Sequence, residues 1–156
     1  MVGRRKSWRE KLERDAKPKV VDDPKGRGRM LVPTPLMVDS LIRRVPRGRL
    51  ITVDQIREKL AKDFGADFTC PLATGWFLRI SAEAAEEDLA VRGKSLDEIT
   101  PYWRVVKRDG RLNEKFPGGV ERQAQRLREE GFTVVAGDGR RPPRVKDYEK
   151  FLVKLD

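Results

Sequence analysis

Three stretches of apolar residues at helical spacing, each following a threonine, constrain the fold of this sequence most. The stretches follow Thr34, Thr52 and Thr69. A threonine hydroxyl in that place accepts a hydrogen bond from the free amides of the first helical turn, so each threonine marks a helix start. Helix-breaking residues follow the stretches, namely Pro46, Gly65 and Gly93. The pattern predicts three helices.

The second and third predicted helices are separated by only a short turn. Each has its apolar side chains on one face, in steps of three and four residues: Val53, Ile56, Leu60 and Phe64, then Ala73, Phe77, Ile80 and Ala84. Residues 52–92 therefore have the order of a helix-turn-helix motif, in which the later helix reads a DNA groove.

Shorter elements are predicted after Gly93. Residues 103–112 predict a β-hairpin, with the turn at Asp109-Gly110. A helix over residues 120–130 and a short extended segment follow, and the apolar spacing of residues 145–155 predicts a last amphipathic helix. The predicted class is mainly α with a small β-hairpin, the plan of a winged helix-turn-helix.

The first 29 residues differ in composition from the rest. Residues 1–29 contain eleven Lys and Arg against five Asp and Glu, with few apolar residues. They predict a basic, disordered N-terminal arm that either lies on nucleic-acid phosphates or serves as a solubilising leader. Ser7 and Glu10 have the spacing of a capping box, which favours a short helix there. The binding domain is assigned to residues 30–136, and residues 137–156 to a basic loop and a C-terminal helix packed on it.

The charge of the chain favours a polyanionic partner. The formal net charge is +10, and a small basic domain is drawn to nucleic acid by release of counterions. Histidine is absent, which excludes a Ser-His or Cys-His nucleophile and a His-ligated metal. We predict no cofactor, no membrane span, and, from the single Cys70, a reducing cytoplasmic setting.

Three further sets of residues stand in a familiar order. They are Val45-Pro46-Arg47-Gly48 with Thr52, then Ala73-Thr74-Gly75, then Thr100-Pro101-Tyr102-Trp103-Arg104-Val105-Val106 with Gly118-Gly119, Gln123 and Glu130-Gly131. In order and spacing they resemble the DNA-binding domain of the alkylguanine-DNA alkyltransferases and of the alkyltransferase-like proteins. The resemblance covers roughly residues 34–135.

This resemblance implies that the chain has lost the chemistry of the alkyltransferases. Their Pro-Cys-His-Arg-Val motif aligns with residues 101–105, so the nucleophile position is Tyr102 and the base position is Trp103. A phenol is a poor substitute for a thiolate, and an indole cannot act as a base. Alkyltransferase-like proteins also lack the cysteine and bind alkylated guanine, although they usually keep the histidine. The implied lesion pocket comprises Pro101, Tyr102, Trp103, Arg104 and Glu130.

The resemblance also assigns DNA contacts. Leu72 aligns with the family arginine that fills the gap left by a flipped base, and it is either an apolar wedge or a core residue. Trp76 fits the core better than a stacking platform. Arg47 and Arg49 either bind phosphates or remain solvated. The predicted DNA-binding residues are Arg47, Arg49, Thr52, Thr69, Leu72, Thr74, Gly75 and Arg79.

The leading hypothesis is therefore non-enzymatic binding of double-stranded DNA, with recognition of alkylated or damaged bases and a link to repair proteins. One alternative is a general or regulatory DNA-binding protein whose pocket Tyr102 and Trp103 fill. Another is a thiol-dependent enzyme that uses Cys70 near a helix N-terminus. An RNA-binding adaptor fits the charge as well.

Overall fold

The computed structural model describes residues 5–155, in which five α-helices and seven short strands pack around a buried core. The helices are α1 (Trp8–Leu12), α2 (Pro35–Arg43), α3 (Val53–Asp63), α4 (Pro71–Val91) and α5 (Gly119–Glu129). The strands are short: β1 (Lys19–Asp22), β2 (Arg29–Val32), β3 (Ile51–Thr52), β4 (Phe68–Thr69), β5 (Val105–Val106), β6 (Val134–Val135) and β7 (Arg144–Val145). The prediction of a mainly α fold with small strands is confirmed. Between residues 5 and 155, no helix combines the length and the apolar character that a membrane span needs.

The threonine caps form as the sequence predicts for two of the three central helices. Thr34 accepts from the amide of Met37 at 3.3 Å, and Thr52 forms a full capping box with Gln55. The third helix, α4, starts one residue later than expected, because Cys70 occupies its N-cap and Thr69 lies in β4. The order α3, short turn, α4 is the predicted one.

The prediction of a disordered arm over residues 1–29 is wrong for the part that the structure describes. β1 pairs antiparallel with β2, which pairs in parallel with β4. The predicted capping box of Ser7 and Glu10 is present in α1, and Leu12 is fully buried. The low apolar content of this segment was misleading, because a few apolar side chains suffice when they dock on an existing core.

The predicted hairpin and the predicted last helix both differ from the structure. β5 pairs in parallel with β3, and the chain after the turn reaches β7 instead, where Leu112 donates to the carbonyl of Pro143 at 2.9 Å. A second antiparallel pair, besides β1 with β2, is formed by β6 with β7. The last helix is only a 3-10 turn, Tyr148–Phe151, after which the chain runs beside Leu50 and exchanges backbone hydrogen bonds with it.

A buried carboxylate ties the central helices to the segment that leads into the candidate site. Asp39 on α2 is 3% exposed and accepts from Ser81 on α4 at 2.6 Å and from Thr100 at 2.7 Å. Arg43, one helical turn away, supplies the balancing charge at 3.0 Å. With three donors, the hydrogen-bonding capacity of this buried carboxylate is satisfied. Because Thr100 is one of the donors, Asp39 fixes the position at which residues 101–104 begin.

We expect Leu12→Ala to destabilise the whole protein by about 3 kcal/mol, because it would leave a cavity under α1. Urea unfolding followed by circular dichroism measures this free energy. Leu72→Ala, at a site that is 85% exposed, is the matched control and should change stability by less than about 0.5 kcal/mol. Equal and small effects of both changes would contradict the docking of α1.

Candidate nucleic-acid interface

Tyr102 stands at the nucleophile position and is sealed inside the protein. It begins the 3-10 turn Tyr102–Arg104 and has no exposed surface. Its ring packs edge-to-face against Trp103 and Phe116, with centroids 5.4 and 5.2 Å away. Its hydroxyl donates to Glu86 on α4 at 2.5 Å. Burial and the charge of Glu86 raise the pKa of Tyr102 well above its usual range, so the phenol stays protonated and is no nucleophile.

Trp103 stands at the base position and acts as a hydrogen-bond donor. Its indole nitrogen donates to Glu130 at 2.6 Å, and the guanidinium groups of Arg104 and Arg126 lie 5.7 and 5.1 Å from its ring centroid. An indole N–H has no lone pair that could take up a proton. Tyr102 and Trp103, the two residues that the resemblance assigns to the reactive positions, thus take part in packing and hydrogen bonding.

Glu130 joins three parts of the chain. Its carboxylate, whose side chain is 3% exposed, accepts from Arg104, from Trp103 and from the backbone amide of Gly48 at 3.1 Å. Burial alone would raise the pKa of Glu130, but the hydrogen bonds from Arg104, Trp103 and Gly48 outweigh it, so the pKa lies below the ordinary glutamate value. Arg104 also donates to the carbonyl of Val45 at 2.7 Å.

A small cavity opens beside Trp103 and not beside Tyr102. Its volume is about 170 Å³. Four of the five predicted pocket residues line it, together with a mixed set of charges: Pro101, Trp103, Arg104 and Glu130, with Arg43, Arg47, Leu96, Asp97, Ile99, Arg126 and Glu129. Tyr102 is behind this wall. The structure therefore brings together the predicted pocket residues, except that the nucleophile position does not reach the cavity.

The N-terminal half of α4 presents an exposed face, which we call the α4 face and define as Leu72, Gly75, Trp76 and Arg79. Leu72 is 85% and Trp76 is 53% exposed, and Gly75 and Arg79 are exposed as well. The expectation that Trp76 belongs to the core is wrong, and of the two alternatives for Leu72 the core position is excluded. They lie on the side of the helix opposite to Phe77 and Leu78, which fill the core.

Three of the residues that were predicted to contact DNA are buried. Thr52 caps α3, Thr69 donates to the carbonyl of Arg57 at 2.7 Å, and Thr74 donates to the carbonyl of Cys70 at 2.8 Å. Their hydroxyl groups satisfy backbone atoms inside the protein, so these side chains do not meet DNA in this conformation.

Arg47 and Arg49 are exposed but not free. Arg47 donates to the carbonyl of Glu129 at 2.9 Å, and Arg49 donates to the carbonyl of Lys150 at 3.4 Å. Both bond to backbone and not to a carboxylate, which leaves their charges uncompensated. Phosphate contacts by these arginines stay a prediction.

Cys70 is half-buried at the N-cap of α4. Residues 5–155 contain no cluster of three or more side chains with the geometry of a metal site.

Sequence reasoning missed Trp8 and Lys11, which α1 brings beside the α4 face. Their i and i+3 spacing was visible, but nothing local in the sequence indicates where a five-residue helix docks.

Comparison with known proteins agrees with this geometry. The family model for the DNA-binding domain of 6-O-methylguanine DNA methyltransferase matches residues 36–132. The fold is similar to that of S. pombe Atl1 in complex with damaged DNA containing O6-carboxymethylguanine, with 17% identity, a TM-score of 0.51, and coverage of 78% of this chain and 94% of that one. A second structure, S. pombe ATL in complex with DNA, has the same identity and coverage and a TM-score of 0.48. The sequence matches no curated protein.

We expect Glu130→Gln to cost roughly 3 kcal/mol at neutral pH, because it leaves the charge of Arg104 buried without a partner. A carboxyl with a lowered folded pKa stabilises the protein above its unfolded pKa, and this stability is lost as the pH falls through the folded value. The wild type should therefore lose stability below roughly pH 4, and the variant should lose less over the same range. Unfolding by urea between pH 3 and pH 7 measures both slopes, and parallel slopes would contradict the assignment.

Proposed function

We propose that this chain, which belongs to the family of the 6-O-methylguanine DNA methyltransferase DNA-binding domain, binds double-stranded DNA and transfers no alkyl group. The burial of Tyr102 is the observation that carries this proposal. Alkyl transfer needs an accessible nucleophile with a base beside it. Here a fully buried phenol and an indole occupy the two positions, and both donate their hydrogens to carboxylates.

Charge and shape support DNA as the partner. The net charge of +10 favours a polyanion, and the α4 face is the exposed side of the second helix of the helix-turn-helix pair. A helix in that position is the one that enters a groove. We therefore assign groove contacts to Leu72, Gly75, Trp76 and Arg79, and phosphate contacts to Arg47 and Arg49.

Recognition of an alkylated base is the finer form of this proposal. The cavity beside Trp103 supports it, because four of the residues expected in a lesion pocket line it. The similar S. pombe Atl1 was crystallised with DNA containing O6-carboxymethylguanine. We propose alkylated guanine as the lesion, with the bound protein marking the site for repair proteins in the cytoplasm.

A general DNA-binding function is the second candidate, and one observation favours it. Tyr102 fills its position completely and is packed by Phe116, so the place where the alkyltransferases act has no space for a base. Cys70 is the remaining candidate nucleophile for an enzymatic function.

We expect tighter binding to a short duplex that contains one O6-alkylated guanine than to the identical unmodified duplex. Fluorescence anisotropy at two salt concentrations measures both affinities. A preference that persists at the higher salt supports a lesion pocket. Equal affinities that fall together as salt rises would refute damage recognition and leave general DNA binding by phosphate contacts.

Variants make this test specific to the cavity. Arg47→Ala removes a charge that lines the cavity, whereas Arg128→Ala removes an exposed charge of α5 that does not. Only Arg47→Ala should lower the ratio of the affinity for the modified duplex to that for the unmodified duplex.

Cys70→Ser should leave DNA binding intact. An alkyl group transferred to the protein from the modified duplex would contradict the non-enzymatic proposal.

A further inference from the structure

The α4 face exposes more apolar surface than a solvated helix needs. Leu72 and Trp76 are one helical turn apart, which places them about 6 Å from each other along the axis. Gly75 lies between them with open space around it, since a Cβ added there would meet no atom. Exposed apolar side chains grouped in this way mark a binding surface more often than an accident of packing.

Cations from two helices surround this face. The guanidinium of Arg79 lies 5.7 Å from the ring centroid of Trp8 and 6.0 Å from that of Trp76. The ammonium group of Lys11 is 4.1 Å from the ring of Trp8. Arg14 is not part of this group, because its guanidinium lies 5.5 Å from the ring of Phe77, on the core side of α4. Lys11 and Arg79 therefore rest on aromatic faces.

These cations lack acidic partners. Over residues 5–155, no carboxylate forms an ion pair with Lys11 or Arg79. Elsewhere arginines are commonly paired with carboxylates, as Arg126 is with Glu86. The charge beside the α4 face is thus left uncompensated, which suits an anionic ligand with flat apolar groups.

The helix α1 is held in place on α4 by its own contacts. Glu87 accepts from the backbone amides of Trp8 and Arg9 at 3.0 and 3.1 Å, and Arg9 forms an ion pair with the buried Asp88. Trp8 and Lys11 therefore keep a fixed position beside Arg79. Because α1 lies outside the residues matched by the family model, 36–132, the contribution of Trp8 and Lys11 is a feature of this chain, whereas the α4 face itself lies within the matched domain.

We propose that the α4 face binds an unpaired base of DNA, with Trp76 and Leu72 against the base and Lys11 and Arg79 on the neighbouring phosphates. This inference rests on the proposed DNA binding and names the structure in DNA that the protein prefers. An aromatic ring needs an accessible base face, which stacking hides in an intact duplex and which a bulged or single-stranded base offers. The cations on either side follow the backbone.

Three DNAs test this preference: a perfect duplex, the same duplex with one extrahelical base, and one of its strands alone. We expect roughly tenfold tighter binding to the bulged duplex than to the perfect one, in line with the contribution of one stacked base. Fluorescence anisotropy measures the affinities. The single strand separates the two sources of an unpaired base, since tight binding to it as well means that the duplex flanks are not required.

Trp76→Ala is the decisive variant: it should abolish the preference, because it weakens binding to the bulged duplex by the whole stacking contribution and binding to the perfect duplex by less. Val91→Ala is the matched control, because Val91 is an exposed apolar residue at the far end of the same helix. Arg79→Ala should weaken binding to all three DNAs. Circular dichroism and urea unfolding confirm that the exposed substitutions leave the fold intact.

The outcomes separate this inference from the proposed function. Binding to the perfect and bulged duplexes with equal affinity, or a preference that survives in Trp76→Ala, would overturn the inference and leave DNA binding standing. Failure to bind any of the three DNAs would overturn both. Self-association of the wild type that Trp76→Ala abolishes, with no preference among DNAs, would assign the α4 face to a protein partner and refute the inference.

Discussion

The carboxylate of Glu130 holds the candidate site together. It accepts hydrogen bonds from Arg104, Trp103 and the amide of Gly48, and so connects the end of α5, the 3-10 turn that carries Tyr102, and the loop before α3. A buried carboxylate is tolerated only when donors and an opposite charge surround it, and here all three donors converge. This bond holds Trp103, whose ring packs edge-to-face against Tyr102 and which lines the cavity that Tyr102 does not reach.

The chain thus keeps the framework of a DNA-binding domain while its reactive position is packed. Glu130, which the resemblance places in the lesion pocket, serves structure here: it orients the indole of Trp103 and the guanidinium of Arg104. The surface that we propose for an unpaired base is the α4 face with α1 beside it, and this surface does not depend on any reactive group.

Sequence patterns predicted correctly those features of the fold that depend on residues close together in the chain. The caps of α2 and α3, the extent of α5 and the order of the helix-turn-helix pair depend on contacts within a few residues, and Thr34 and Thr52 signal them directly. The resemblance of residues 101–105 identified the buried turn. The wrong predictions concern features that depend on packing between distant parts of the chain. Leu12 and the β1–β2–β4 sheet hold in place a segment that was predicted to be disordered. The end of the predicted last helix lies beside Leu50 and exchanges backbone hydrogen bonds with it. Trp76 was assigned to the core, and Leu72 either to the core or to an apolar wedge, because apolar residues usually lie in the core. Only the position of α4 on the core shows that both residues face solvent.

The three tryptophans of the chain, Trp8, Trp76 and Trp103, offer the most direct measurement, because their indole N–H signals report one site each in an NMR titration with DNA. Binding at the α4 face predicts that the signals of Trp76 and Trp8 shift as a duplex with one unpaired base is added, while that of Trp103, bonded to Glu130, stays in place. A large shift of Trp103 with Trp76 unchanged would contradict this interface and show that DNA enters at the turn that carries Tyr102.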